Sequence, residues 1–162
     1  MKRIEPKPGQ ESVWDYPRPP RLEAVSKNIR IEFAGEIIAS TNAAFRVLET
    51  SHPPVYYLPT ADIKMEFVTV GSGSSFCEWK GKAGYFDLRL GDRSVQNAGW
   101  FYADPNAYFA PIKDFLAFYP SKMDACYVDD ELVSSQPGDF YGGWITSNIV
   151  GPFKGGEGTW GW

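Results

Sequence analysis

Apolar and charged side chains alternate strictly from Ile29 to Phe33, with Ile29, Ile31 and Phe33 set against Arg30 and Glu32. A two-residue period places the three apolar groups on one face of an extended strand. Ile37-Ile38-Ala39-Ser40 follows after Gly35-Glu36, and glycine at the first position of a two-residue loop predicts a type II′ hairpin. Between Thr41 and Glu49 the pattern is double. Ala43, Ala44, Val47 and Leu48 fit two helical turns, Arg46 to Thr50 alternates as a strand, and so short a run leaves both open. His52-Pro53-Pro54 interrupts any ladder, after which Val55-Tyr56-Tyr57-Leu58 predicts a strand stopped by Pro59.

The stretch Gly71-Ser72-Gly73-Ser74-Ser75 predicts a flexible turn leading into a second hairpin, in which Phe76 to Lys80 runs up, Gly81-Lys82 turns and Ala83 to Leu90 returns. A two-residue loop pairs Lys80 with Ala83, Glu78 with Tyr85 and Cys77 with Phe86. On that register Cys77, Trp79, Phe86, Leu88 and Leu90 share a buried side, where a thiol behaves as a small hydrophobe. Glu78, Lys80, Tyr85, Asp87 and Arg89 share the other side. Trp100-Phe101-Tyr102 forms an aromatic strand, and Asp104-Pro105 opens a short helix that Pro111 interrupts. Residues 115–119, 125–128 and 132–134 predict further strands.

This succession of short strands and turns predicts an all-β, mainly antiparallel domain over residues 22–144. Residues 1–21 carry Pro6, Pro8, Pro17, Pro19 and Pro20 and predict an extended arm with Trp14 and Tyr16 as anchors. Residues 145–162 form a tail rich in glycine and tryptophan, either mobile or pinned by its tryptophans.

Composition strengthens the β assignment, because aromatic residues suit pleated, half-buried surfaces and make up 16% of the 162 residues. Charge removes one class of partner. A formal net charge of -4 with both signs interspersed offers no basic stripe for nucleic acid. The polar opening MKRIEPKPGQ lacks the apolar stretch of a secretion signal, and no segment approaches the ~18 apolar residues of a membrane helix, so a cytoplasmic protein is expected. Two cysteines, Cys77 and Cys126, and one histidine, His52, fall short of the four soft ligands of a structural zinc site, and no metal or cofactor is expected.

Three pieces of the chain carry a likeness: Trp14-Asp15-Tyr16-Pro17-Arg18-Pro19-Pro20, His52-Pro53-Pro54-Val55-Tyr56-Tyr57-Leu58-Pro59, and Cys77-Glu78-Trp79-Lys80-Gly81 followed by Trp100-Phe101-Tyr102. Together they resemble the domain of unknown function 427 family, which is sometimes filed under a nucleotidyltransferase label. The likeness covers most of residues 14–144. It implies two small antiparallel sheets meeting at an angle, similar to the Mss4-like or β-tent folds, with short helical turns. Many proteins of that group bind zinc through paired CxxC motifs. Those are missing here, so aromatic packing takes the metal's place.

Candidate chemistry converges on a cleft between the sheets shaped by His52, Tyr57, Lys80, Tyr85 and Trp100. Lys80 and Tyr85 suit an anionic or planar ligand, and loops such as that of His52 often carry binding residues. Trp100, Tyr102, Tyr56 and Tyr57 suit either an aromatic cage or an ordinary core. The expected function is therefore binding of a small molecule or a protein, by a monomer or homodimer. Two alternatives stand beside it: an enzyme, with the nucleotides of the family label as substrate, and an assembly protein that uses its arm and tail. Metal-assisted phosphoryl transfer needs clustered carboxylates, and Asp62, Glu66, Asp87, Asp129 and Asp130 show no spacing that guarantees it. Cys77 with His52 is the one thiol and imidazole couple available for nucleophilic catalysis.

Overall fold

The computed structural model describes residues 1–138 and 140–162. Their strands are, in chain order, β1 (Glu11–Ser12), β2 (Arg21–Ala24), β3 (Ile29–Phe33), β4 (Glu36–Thr41), β5 (Phe45–Leu48), β6 (Val55–Tyr57), β7 (Val68–Cys77) and β8 (Gly81–Leu90). There follow β9 (Arg93–Phe101), β10 (Leu116–Phe118), β11 (Ala125–Val128), β12 (Glu131–Leu132), β13 (Ser134–Ser135), β14 (Trp144–Ile145) and β15 (Ile149–Val150). The helical elements among the described residues are short 3-10 turns, so the fold is all-β. Two four-stranded sheets, β10-β9-β8-β7 and β12-β11-β3-β4, carry most of it, flanked by the three-stranded sheet β2-β5-β6. Pairing within these sheets is antiparallel. No helix of the described residues is long and apolar enough to cross a membrane.

The alternation in β3 does what its pattern requires. Ile29, Ile31 and Phe33 are fully buried, and they pack with Phe86 and Leu88 of β8, Phe118 of β10 and Trp144. The β3–β4 hairpin turns at Ala34-Gly35, one residue earlier than expected, because Phe33 pairs with Glu36. Both turn residues have positive φ, +51° and +81°, which makes the turn type I′ in place of type II′. The ambiguous stretch after Thr41 becomes strand β5 because neighbours on both sides supply a ladder: Leu22 pairs with Val47, and Phe45 with Tyr57.

The second hairpin overturns the expected register. Cys77 pairs with Gly81, Phe76 with Lys82 and Ser75 with Ala83, so the connection is Glu78-Trp79-Lys80. Phe86 lies opposite Val70, and Cys77 does not share its buried face. The Gly71 to Ser75 stretch is not a flexible turn either. It belongs to β7, whose ladder with β8 shifts register between Val70 and Ser74, and a bulge of this kind is where a strand admits glycine. The two faces of β8 consequently serve different purposes. Phe86 and Leu88 face the main core, while Ala83 and Tyr85 face a cavity.

The arm and tail dock on the domain. Val13 is fully buried and Tyr16 nearly so, packed with Leu48 and Ile149. Strand β1 pairs in parallel with β15, and Arg46 bridges Glu11 of the arm (2.9 Å) and Glu23 of β2 (2.7 Å). Trp162 sits edge-on against Trp14 at 5.4 Å between ring centroids.

Candidate functional site

The cavity lies between the face of β8 and β9 that carries Tyr85 and Trp100 and the strands β5 and β6, is roofed by Gln136 and Tyr141, and has a volume of about 280 Å³. All five residues expected to shape a cleft line it: His52, Tyr57, Lys80, Tyr85 and Trp100. Each arrives from a different part of the sheet scaffold. Tyr85 and Trp100 are direct cross-strand partners on β8 and β9, so their side chains stand next to one another on one face. Tyr57 comes from β6, fully buried, and accepts the indole N–H of Trp100 at 3.1 Å. The Tyr85 hydroxyl donates to Ser75 Oγ at 2.9 Å.

Lys80 owes its position to the three-residue turn. Its carbonyl accepts the N–H of Asn106 at 2.9 Å, and Asn106 also donates its side-chain amide to the carbonyl of Trp79 at 2.7 Å. Gly81, at φ +111°, completes a bend that other residues would adopt only under strain. Lys80 is 8% exposed, its Nζ lies 5.8 Å from the centroid of the Phe109 ring, and it forms no ion pair among the described residues.

His52 is held by its surroundings as a neutral ring. Gln136 Nε2 lies 3.1 Å from Nδ1, Glu49 Oε2 lies 3.7 Å from Nε2, and the Tyr141 ring packs edge-on at 4.8 Å. Burial, reinforced by the positive charges of Lys154, Arg18 and Lys80, pulls its pKa down to about 4. Three tyrosines of the walls, Tyr57, Tyr102 and Tyr119, are held neutral for a related reason. Burial pushes the hydroxyls of Tyr57 and Tyr102 well above the usual range, and that of Tyr119 up to about 12.

Several contributors were not legible as site residues: Glu49, Tyr119, Gln136 and Tyr141 all line the cavity. Cys77, weighed with His52 as a thiol and imidazole couple, lines it too. Cys77 was expected in the core and reaches the cavity through the three-residue turn, while Cys126 is the buried thiol. Of the four aromatic residues weighed as a cage, Tyr57, Trp100 and Tyr102 line the cavity. Tyr56 points to the opposite side of β6 and packs on Trp144 at 5.0 Å, as the strand's two-residue period dictates. One sequence signal could have been used: Gly142-Gly143. A Cβ on Gly142 would come within 2.4 Å of the Trp100 ring, so the roof approaches the aromatic wall only because this residue has no side chain.

The carboxylates considered for metal chemistry are dispersed. Asp62 accepts from the Thr41 hydroxyl at 2.6 Å, Asp87 from the Asn97 N–H at 2.8 Å and Asp129 from the Asn28 N–H at 2.9 Å. No group of three or more His, Cys, Asp or Glu side chains among the described residues is arranged to hold a metal ion.

A family model described as a domain of unknown function, DUF427, matches residues 21–129. The chain belongs to the DUF427 family. None of the curated proteins matches it. The DUF427 match covers β2 to β11 and thus the strands that supply Tyr57, Tyr85 and Trp100 and the turn that supplies Lys80, whereas Gln136 and Tyr141 of the roof lie beyond it.

Proposed function

We propose that this DUF427 protein is a binding module for a small, flat organic anion, held in the cavity between Tyr57, Tyr85 and Trp100 with its charge at Lys80. The observation that carries this reading is Lys80 itself, a nearly buried cation without an anionic partner among the described residues, on the wall of an aromatic cavity. Lys80 Nζ is not among the side-chain atoms fully buried without a partner, so its ammonium is free to meet a ligand carboxylate or phosphate in a charge-assisted hydrogen bond. The positive charges that act on His52 extend the same field over one side of the cavity, in a protein whose net charge is -4.

Size supports a modest ligand. An apolar cavity of about 150 Å³ accepts benzene, so about 280 Å³ accommodates a substituted ring and is small for a nucleotide. Binding fits the chemistry of the walls better than acid–base catalysis does. Burial keeps Tyr57, Tyr102 and Tyr119 protonated, and His52 has its Nδ1 lone pair occupied by Gln136.

The test uses benzoate, phenyl phosphate and benzylamine as probes, read by tryptophan fluorescence and by the unfolding midpoint. A ligand at about 100 times its Kd adds about 2.7 kcal/mol of stability. The two anions are expected to raise the midpoint and change the fluorescence, benzylamine to do neither, and Lys80→Met to abolish both effects. Equal responses to all three, or anion binding undiminished in Lys80→Met, would overturn the proposal.

A further inference from the structure

Glu49, directly after β5, brings a negative charge to the cavity that holds Lys80. Its Oε2 stands 3.8 Å from Arg18 Nε and 3.7 Å from His52 Nε2, both beyond hydrogen-bond reach. Arg18 is engaged elsewhere, because its Nη2 donates to the carbonyl of Thr50 at 2.9 Å, and a partly exposed ion pair of such length is weak. The Glu49 carboxylate therefore keeps acceptor capacity for a closer donor. Its charge reaches the interior of the cavity, where it adds to the upward push on the hydroxyl of the fully buried Tyr57.

Lys80 acts on the same region, since its charge is one of those that lower the pKa of His52, the neighbour of Glu49. Yet Lys80 and Glu49 form no ion pair with one another. The hold of Asn106 on the turn fixes one, and the end of β5 fixes the other. Two opposite charges that share a cavity without meeting leave a gap that a ligand with two opposite ends closes.

We infer that the ligand is a zwitterion, a small planar acid that also carries an amino group, with its acid group at Lys80 and its ammonium donating to Glu49. The inference rests on the small-molecule reading above and adds the second polar group of the ligand. A second carboxylate in that place would meet the like charge of Glu49. An amine without the acid meets the positive charges of Lys80, Lys154 and Arg18 with only Glu49 to offset them, so the acid end is what admits the ammonium.

Calorimetric titration with benzoate, with 3- and 4-methylbenzoate, with the two matching aminomethylbenzoates and with isophthalate tests this. At least one aminomethylbenzoate is expected to bind about tenfold or more tightly than its methyl counterpart, the factor that one charge-assisted hydrogen bond supplies. Isophthalate should bind no more tightly than benzoate. In Glu49→Gln the ratio between the aminomethyl and methyl acids should shrink to about twofold or less, since the anionic acceptor is gone. Benzoate bound without a gain from either ammonium overturns the inference and leaves the small-molecule reading standing, whether or not the variant folds. Isophthalate bound more tightly than both aminomethyl acids overturns it too, as does a ratio undiminished in Glu49→Gln. If none of the acids binds, the small-molecule reading falls and the zwitterion with it.

Discussion

Trp100 donates its indole N–H to the Tyr57 hydroxyl across 3.1 Å, tying β9 to β6 at the back of the cavity. Tyr57→Phe keeps the ring and removes only the acceptor. Leaving that donor unpaired costs about 1–3 kcal/mol, and urea unfolding should register a loss in this range. Adding Trp100→Phe should cost less than its own single effect, because the shared bond is already gone. Strict additivity of the two substitutions would show that the bond contributes nothing.

The lowered pKa of His52 has a definite consequence for acid stability. The unfolded chain takes up a proton near the ordinary histidine value of about 6.5. The folded protein does so only near 4, so folding stability is fully present above the unfolded value and is lost as pH falls between the two. The loss is on the order of 3 kcal/mol for a shift of this size. Unfolding free energies measured between pH 7.5 and 4.5 should fall in the wild type, and His52→Gln should remove that part of the slope. An unchanged slope in the variant would assign the acid sensitivity to carboxylates.

The two thiols should separate sharply. Cys126 is 2% exposed, and burial pushes its thiol well above the ordinary range, whereas Cys77 lines the cavity. A small alkylating reagent should modify Cys77 at least about a hundredfold faster than Cys126 in the folded protein, since access and thiolate fraction both favour it. Benzoate should slow the reaction at Cys77 alone. Equal rates for the two thiols, or indifference to benzoate, would place Cys77 outside the ligand site.

Docking of the arm is measurable through one side chain. Val13 is fully buried between Tyr16, Leu48 and Ile149, so Val13→Ala should cost about 1.5–3 kcal/mol from lost burial and the space left behind. Native-state tryptic proteolysis after Arg21 should be slow in the wild type and faster in the variant. A variant as stable and as resistant as the wild type would mean that the arm contributes no packing energy.

How much of this could be read from the sequence depended on which forces were local. The β3 strand was legible because Ile29, Ile31 and Phe33 all answer to one core, and a two-residue period leaves little choice. The β7–β8 hairpin was not. Gly81-Lys82 has the composition of a tight turn, but Asn106, more than twenty positions away, clamps Trp79 and Lys80 and moves the turn back by three residues. The glycines and serines of β7 carry no strand signal of their own. They are held extended by the ladder to β8, a partner the local pattern does not reveal.

The site was legible to the same degree. His52, Tyr57, Lys80, Tyr85 and Trp100 were expected to face one cleft and do line one cavity, yet Lys80 and Tyr85 do so despite a mistaken register. Tyr85 stays on the cavity face because β8 fixes it, and Lys80 because it lies in the turn, where strand alternation does not apply. Gln136 and Tyr141 gave no signal, since their placement depends on contacts with Gly143, Lys154 and His52 that only the folded chain creates.

The parallel pairing of β1 with β15 has a consequence for the order of events in a cell. Glu11 and Ser12 leave the ribosome well before their partners Ile149 and Val150, which are made 138 residues later. At about 5–20 residues per second the arm waits roughly 7–30 s for Ile149, with only Leu48 of its buried apolar partners already made. During that interval its prolines and its Arg and Glu side chains are what keep it from sticking elsewhere. The clasp thus closes long after its first strand is made, and a polysome carrying this message displays many open copies of it at once.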